Sequence, residues 1–248
     1  MKGLVLAALV VCGAPSLLAQ QWQWPDNPKN LKVLPATTTG KELQRVMNGF
    51  TSGLGVRCDY CHVDEQGKGF AGFDFASDAK PTKATARTML TMVNVINKQY
   101  LASLQQDKAA SITVGCVTCH HGNVVPILLE DKLKQTFDAS GLDAALKQYR
   151  TLRDQYYGGF TYDFKEGTLL RLADKIMADT TKTAAAIAVL KFNAELYPSF
   201  AFTYVHLANV YEQMGNIPEA IANYNQAIKV NPGDERIKRQ LERLQAKQ

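Results

Sequence analysis

Two copies of one five-residue arrangement, Cys58-Asp-Tyr-Cys61-His62 and Cys116-Val-Thr-Cys119-His120, account for four of the five cysteines and two of the four histidines. Thiols three residues apart can each add to one of the two vinyl groups on a porphyrin edge. The histidine that follows then lies under the iron as its proximal ligand, so the pattern is that of covalent c-type haem, present twice. On this reading Cys58, Cys61, Cys116 and Cys119 are the anchors, and His62 and His120 are the iron ligands. Zinc is the competing chemistry. Zinc ribbons bring their cysteine pairs together within roughly 15 to 20 residues, much less than the stretch from Cys61 to Cys116, and zinc has no need of both trailing histidines. Redox disulfides of the thioredoxin type follow a strand, and nothing before either motif reads as one.

The elements that must position these motifs are helical. From Thr38 the residues Leu43, Val46, Met47 and Phe50 form the stripe of an amphipathic helix, and Gly53 and Gly55 are expected to end it just ahead of the first motif. Residues 64–80 read as a loop containing glycine and phenylalanine, and Pro81 suits the first turn of a helix. That helix is expected to run to about Leu104, roughly 35 Å at 1.5 Å per residue, with Met89, Met92, Val93, Ile96 and Tyr100 on its apolar face. A short loop leads to Cys116. Helix, motif, helix, motif makes one structural unit used twice over residues 39–126.

Methionine stands on the apolar stripe of both helices. Its thioether binds haem iron and raises the potential relative to a second histidine, although most stripe methionines fill a core. The arrangement resembles the photosynthetic reaction-centre cytochrome c subunit family, whose haem units are a methionine-bearing helix, a turn and then Cys-x-x-Cys-His. The resemblance covers roughly residues 39–126. It includes Leu54-Gly-Val-Arg-Cys58, Ala86-Arg-Thr-Met89-Leu-Thr-Met92-Val-Asn-Val-Ile-Asn97 and Val114-Gly-Cys116-Val-Thr-Cys119-His120-His121-Gly122. It implies Met47 and Met89 as the distal ligands and electron transfer between protein partners; family members that serve reaction centres carry four haems in two such pairs, whereas this chain's motifs provide one pair. His121 and His206 are read as ordinary residues, and Lys83 and Arg87 either as propionate partners or as solvated charge.

Residues 1–19 read as an export signal: a basic Met1-Lys2, an apolar run from Leu4 to Val11 that is too short to span a bilayer, and Ala19 before a cleavage point near Gln20. The periplasm is the expected compartment. Leu9-Val-Val-Cys12 loosely resembles a lipoprotein box that would anchor the chain through Cys12, with Val11 a poor fit before the lipidated residue. Residues 20–38, with Trp22, Trp24 and three prolines, read as an extended arm. The formal charge of +5 is mild and would be largely offset by haem propionates, which gives no basis for nucleic-acid binding.

The remaining chain has a period of its own. Tyr204, Leu207, Ala208, Tyr211, Gly215, Ala220, Tyr224, Ala227 and Pro232 fit the 34-residue tetratricopeptide pattern over residues 201–234, and Leu170, Ala173, Met177, Ala186, Leu190 and Pro198 give a degenerate copy from about 167. A polar helix from Asp234 reads as the solvating cap, so residues 167–248 form a short repeat array. Residues 127–166 are read as a helical connector, with Leu142, Ala145, Leu146, Tyr149 and Leu152 supporting the array. The fold class is all-α: a dihaem, multihaem-type cytochrome c domain followed by tetratricopeptide-like helices. An exported electron carrier with redox partner proteins is expected, docked through its repeats to a membrane-bound complex. A dihaem peroxidase would need an iron with a releasable sixth site and a nearby acid or base, which two methionine-bearing helices argue against. The other alternative is a repeat-based assembly scaffold with structural haem.

Overall fold

The computed structural model describes residues 23–65, 67, 69–104 and 112–246. The export segment, Cys12 and Trp22 lie outside them. The fold is all-α, with one antiparallel ladder among the described residues, β1 (Val63–Asp64) on β2 (Phe73–Asp74), in the register Val63 to Asp74. It clusters into two compact units. Of the described residues, one unit comprises those up to Met47 with those from Cys58 to Thr91, and the other Asn48–Arg57 with those from Met92 onward.

In the first unit, helix α1 (Gly40–Leu54) begins in a reciprocal cap. The Thr39 amide donates to Glu42 Oε2 at 2.8 Å, and the Glu42 amide donates to Thr39 Oγ1 at 3.3 Å, so two backbone donors at the helix start are satisfied by side chains. The arm lies along this start. A side chain at Gly40 would put its Cβ 2.9 Å from the Trp24 carbonyl oxygen, so only glycine admits the approach. Farther on, Asn30 and Lys32 both reach Asp78, at 2.9 and 2.6 Å, and Arg87 joins them at 2.8 Å. Helix α2 (Pro81–Val95) starts at the proline, as its sequence predicts.

The second unit holds the rest of that long helix, which passes through a π-helical segment, Ile96–Leu101, into α3 (Ala102–Leu104). The sequence pattern predicts a plain α-helix to Leu104; the wider turn is the difference. Helix α4 (Cys116–His120) carries the second motif, and α5 (Leu129–Tyr156), α6 (Gly167–Met177), α7 (Thr183–Leu196), α8 (Ala201–Gln213), α9 (Ile217–Val230) and α10 (Glu235–Gln245) follow. From α5 to α10 each helix packs on the next, in chain order, as a solenoid does.

Helix α5 is two helices joined at Gly141, whose φ of 83° and ψ of −178° no helix contains. Thr136 Oγ1 donates to Gln148 Oε1 at 2.7 Å. Twelve residues of straight helix would separate the two by about 18 Å, so the halves fold back on one another. Its second half repeats the burial of α7 and α9: Ala145 and Tyr149, Ala186 and Leu190, Ala220 and Tyr224 are each at most 1% exposed. The stretch read as a connector is thus a first helical hairpin of the array. Leu129, Leu133, Phe137, Ala145 and Tyr149 join one core with Leu172, Leu190, Leu207, Tyr224 and Leu244. Three hairpins and a cap meet the number such arrays need to bury their faces.

Candidate haem-binding sites

In the first site the chain makes a tight turn at Cys58–Tyr60. The amides of Cys61 and His62 both donate to the Cys58 carbonyl, at 3.2 and 2.9 Å, which gathers two thiols and an imidazole onto one turn. Thr82 Oγ1 donates to the Tyr60 carbonyl at 2.6 Å and the Lys80 ammonium to that of Asp59, so the start of α2 braces the motif. His62 is buried. Its ring meets Phe75 edge-on at 5.1 Å, and Phe75 lies 5.4 Å from Phe73 and 6.5 Å from Phe70, so the ladder strand and the residues around it wall the histidine with aromatics. Burial first, and then the Lys83 charge, bring the His62 pKa down to about 4. The Phe75 backbone pulls the other way without giving the buried Nδ1 a hydrogen bond. The ring is therefore neutral near pH 7, the form that ligates metal.

The second motif occupies α4, where the Gly115 amide donates to Thr118 Oγ1 at 3.0 Å. His120 Nδ1 lies 2.9 Å from the Asn123 carbonyl oxygen. A carbonyl only accepts, so the proton is on Nδ1 and Nε2 presents its lone pair, the outer-shell arrangement that fixes a ligating histidine. Tyr162 holds Asn123 in turn, its hydroxyl donating to Oδ1 at 3.3 Å. His121 closes α4 in the left-handed region at φ 50°, with its ring 6.3 Å from that of Phe160.

Two further elements seat α4. A Cβ at Gly53 would lie 2.7 Å from Cys116 Cβ, and the Gly122 amide donates to the Gly53 carbonyl at 2.9 Å. Gly53 therefore does not end α1, as its position suggests. The helix continues to Leu54, and the missing side chain is what lets α4 approach; Gly55, at φ 66°, makes the turn beyond. On the other side Asn97, in the π-helical segment, donates to the Val114 carbonyl and accepts from its amide, both at 2.8 Å, and so clamps the chain two residues before Cys116.

Met47 is half-buried on α1. On α2 Met89 is half-buried, whereas Met92 is 44% exposed. Lys83 and Arg87 have their partners in the loop before α2, at Asp78 and the backbone carbonyls of residues 75–77, and in the arm, at the Asn30 carbonyl. His206 faces Asp174 at 3.5 Å. The sequence reading missed Asn97, the packing role of Gly53 and the Asp78 hub. An amide inside an apolar helix stripe and a glycine one residue before a helix end were the signals available.

The residues fit covalent haem. All four motif thiols are unpaired, and burial raises the pKa values of Cys61 and Cys116, keeping them as thiols. Leu43, at 8% exposure, is the one buried apolar side chain among the described residues of the first unit. Helix α2 buries none, apolar stripe notwithstanding. A unit with so little core of its own suits a large apolar cofactor that supplies one. Two turns that each present Cys, Cys and His, on an all-α frame, define a c-type cytochrome, a carrier of electrons on covalently bound haem.

Comparisons with known proteins agree. The family described as photosynthetic reaction centre cytochrome C subunit matches residues 11–185, and the tetratricopeptide repeat matches residues 201–234. The chain belongs to that cytochrome family, with a tetratricopeptide repeat beyond it. It is 33% identical over 105 residues to cytochrome c-554 of Chloroflexus aurantiacus, which covers 41% of this chain and 22% of that protein. It is 33% identical over 100 residues to the photosynthetic reaction center cytochrome c subunit of Thermochromatium tepidum, covering 40% and 21%. The chain thus spans about a fifth of the length of these curated relatives. Among solved structures, the first tetratricopeptide domain of Spaghetti bound to an HSP90 peptide aligns with a TM-score of 0.32 at 16% identity, over 48% of this chain and 88% of that one. No helix among the described residues is long and apolar enough to cross a membrane.

Proposed function

We propose that the chain is an exported dihaem cytochrome that passes electrons between protein partners in the periplasm, with its repeats docking it to a larger, membrane-bound complex. Cys58 and Cys61 anchor one haem and Cys116 and Cys119 the other. His62 and His120 serve as proximal ligands, and Met47 and Met89 as distal ones. The observation that carries this reading is His120: its Nδ1 proton is committed to the Asn123 carbonyl, which leaves Nε2 free for iron. When bound, each haem supplies one-electron chemistry at iron. The protein orients the imidazole, excludes water from His62 and presents a soft sulfur ligand that favours Fe(II). His/Met ligation of both irons leaves no open site for peroxide, and electron transfer therefore takes precedence over peroxidase chemistry. Domain boundaries at 20–38, 39–126, 127–166 and 167–248 remain the working division, with residues 127–166 contributing to the repeat core.

The test is haem stoichiometry. A pyridine haemochrome assay with mass spectrometry of the mature protein is expected to show two haem masses per chain, one on each motif peptide. One haem, or zinc in place of haem, refutes the reading.

A further inference from the structure

We infer that Lys83 is a positioning residue for the first site: it holds Phe75 against the proximal histidine and places a buried positive charge beside it, raising the midpoint potential of the haem carried by Cys58 and Cys61. The inference rests on the proposed haem at that motif. Lys83 lies in the first turn of α2, and its side chain is only 12% exposed. Its ammonium donates to three successive carbonyls, those of Phe75 at 2.9 Å, Ala76 at 3.1 Å and Ser77 at 2.6 Å. Three convergent acceptors match the three protons of an ammonium; a planar guanidinium spreads its donors in one plane and suits such a cap less well.

This cap sets the turn that carries Phe75, whose ring stands edge-on to His62 at 5.1 Å. It also fixes a charge close to the ligand: Lys83, Lys80 and Arg87 all act on the His62 ring as neighbouring positive charges. Asp78 answers Lys83 only loosely, at 3.5 Å, because its carboxylate is shared among Lys32, Asn30 and Arg87. A cation held in a poorly solvated place disfavours the extra positive charge of Fe(III) relative to Fe(II), and the potential rises.

The test is potentiometric titration of the full-length dihaem protein, with Met47→Ala marking which midpoint belongs to the first site. Lys83→Met is expected to lower that midpoint and leave the other in place, while Lys83→Arg, which keeps the charge, retains most of it. Asp78→Asn removes the opposing anion on an exposed loop and is expected to move the same midpoint upward. This gives a variant of opposite sign should Lys83→Met fold poorly. Unchanged midpoints in Lys83→Met and Asp78→Asn, or equal shifts at both sites, overturn the inference. Absence of haem from the Cys58–Cys61 peptide of the unmodified protein overturns instead the dihaem reading beneath it, and mass spectrometry of the same samples separates the two failures.

Discussion

Met89 and Met92 stand one turn apart on α2, the first half-buried and the second exposed. Sulfur bound to low-spin Fe(III) gives a weak near-infrared charge-transfer band. Met47→Ala and Met89→Ala are each expected to remove about half of it and to lower one midpoint, because a harder or vacant position replaces the thioether. Met92→Ala should leave the band intact; if it is Met92 whose loss removes the band, the distal ligand lies one turn further along. Asp78 offers a pH test at the same scale. Hydrogen bonds from Lys32 and then Asn30 hold its carboxyl far below the usual range. A folded-state pKa below the unfolded one adds stability above roughly pH 4, the unfolded value, and that stability is lost as pH falls through the folded value. The arm is therefore expected to stay protected from proteolysis at pH 4 and to become susceptible only in stronger acid. Asp78→Asn should expose it at neutral pH.

Two glycines of α1 test what helices do here. Gly49 has nothing within 4 Å of a would-be Cβ, so Gly49→Ala is expected to stabilise the protein by about 0.5 to 1 kcal/mol, the ordinary gain from removing a flexible residue from a helix. Gly53→Ala inserts a methyl group where Cys116 Cβ and the Val117 amide already stand, and a loss of about 1 to 3 kcal/mol is expected. Paired thermal melts decide between them, and equal effects would show that α4 does not seat on α1. Asn97→Ala strands both the Val114 amide and its carbonyl and should cost about 1 to 3 kcal/mol. These residues also mark the limit of what could be read in the sequence. The motifs, the methionine stripes and the 201–234 repeat were legible because each has a fixed spacing. The seat of α4 depends on residues far apart in the chain, Gly53 with Cys116 and Asn97 with Val114, and no local period records it. The first hairpin of the array was hidden for a related reason: Gly141 breaks its helical stripe, so only the second half, from Leu142, showed the pattern.

At the scale of the molecule, the question is whether the repeats can be removed without cost to the haem chemistry. The core that contains Leu129, Leu133, Phe137, Ala145 and Tyr149 closes only against α6 and the helices after it. A chain ending after Tyr157 would expose those side chains, at roughly 1.5 to 3 kcal/mol for each large one, and would leave an apolar face open to self-association. It would also remove Tyr162, the residue that holds Asn123, whose carbonyl fixes His120. The expected outcome is an aggregation-prone protein in which the Cys116–Cys119 peptide loses haem while the Cys58–Cys61 peptide keeps it, read by mass spectrometry of each peptide. Tyr162→Phe in the intact chain isolates the second effect, since it deletes only the hydroxyl and leaves the core ring in place. A small rise in the second midpoint with an unchanged first is expected, because a less firmly held Asn123 carbonyl accepts less well from His120 Nδ1 and leaves the imidazole a weaker donor to Fe(III). A truncated, monomeric protein with both haems at full occupancy would show that α5 needs no partner and that the array is a detachable module.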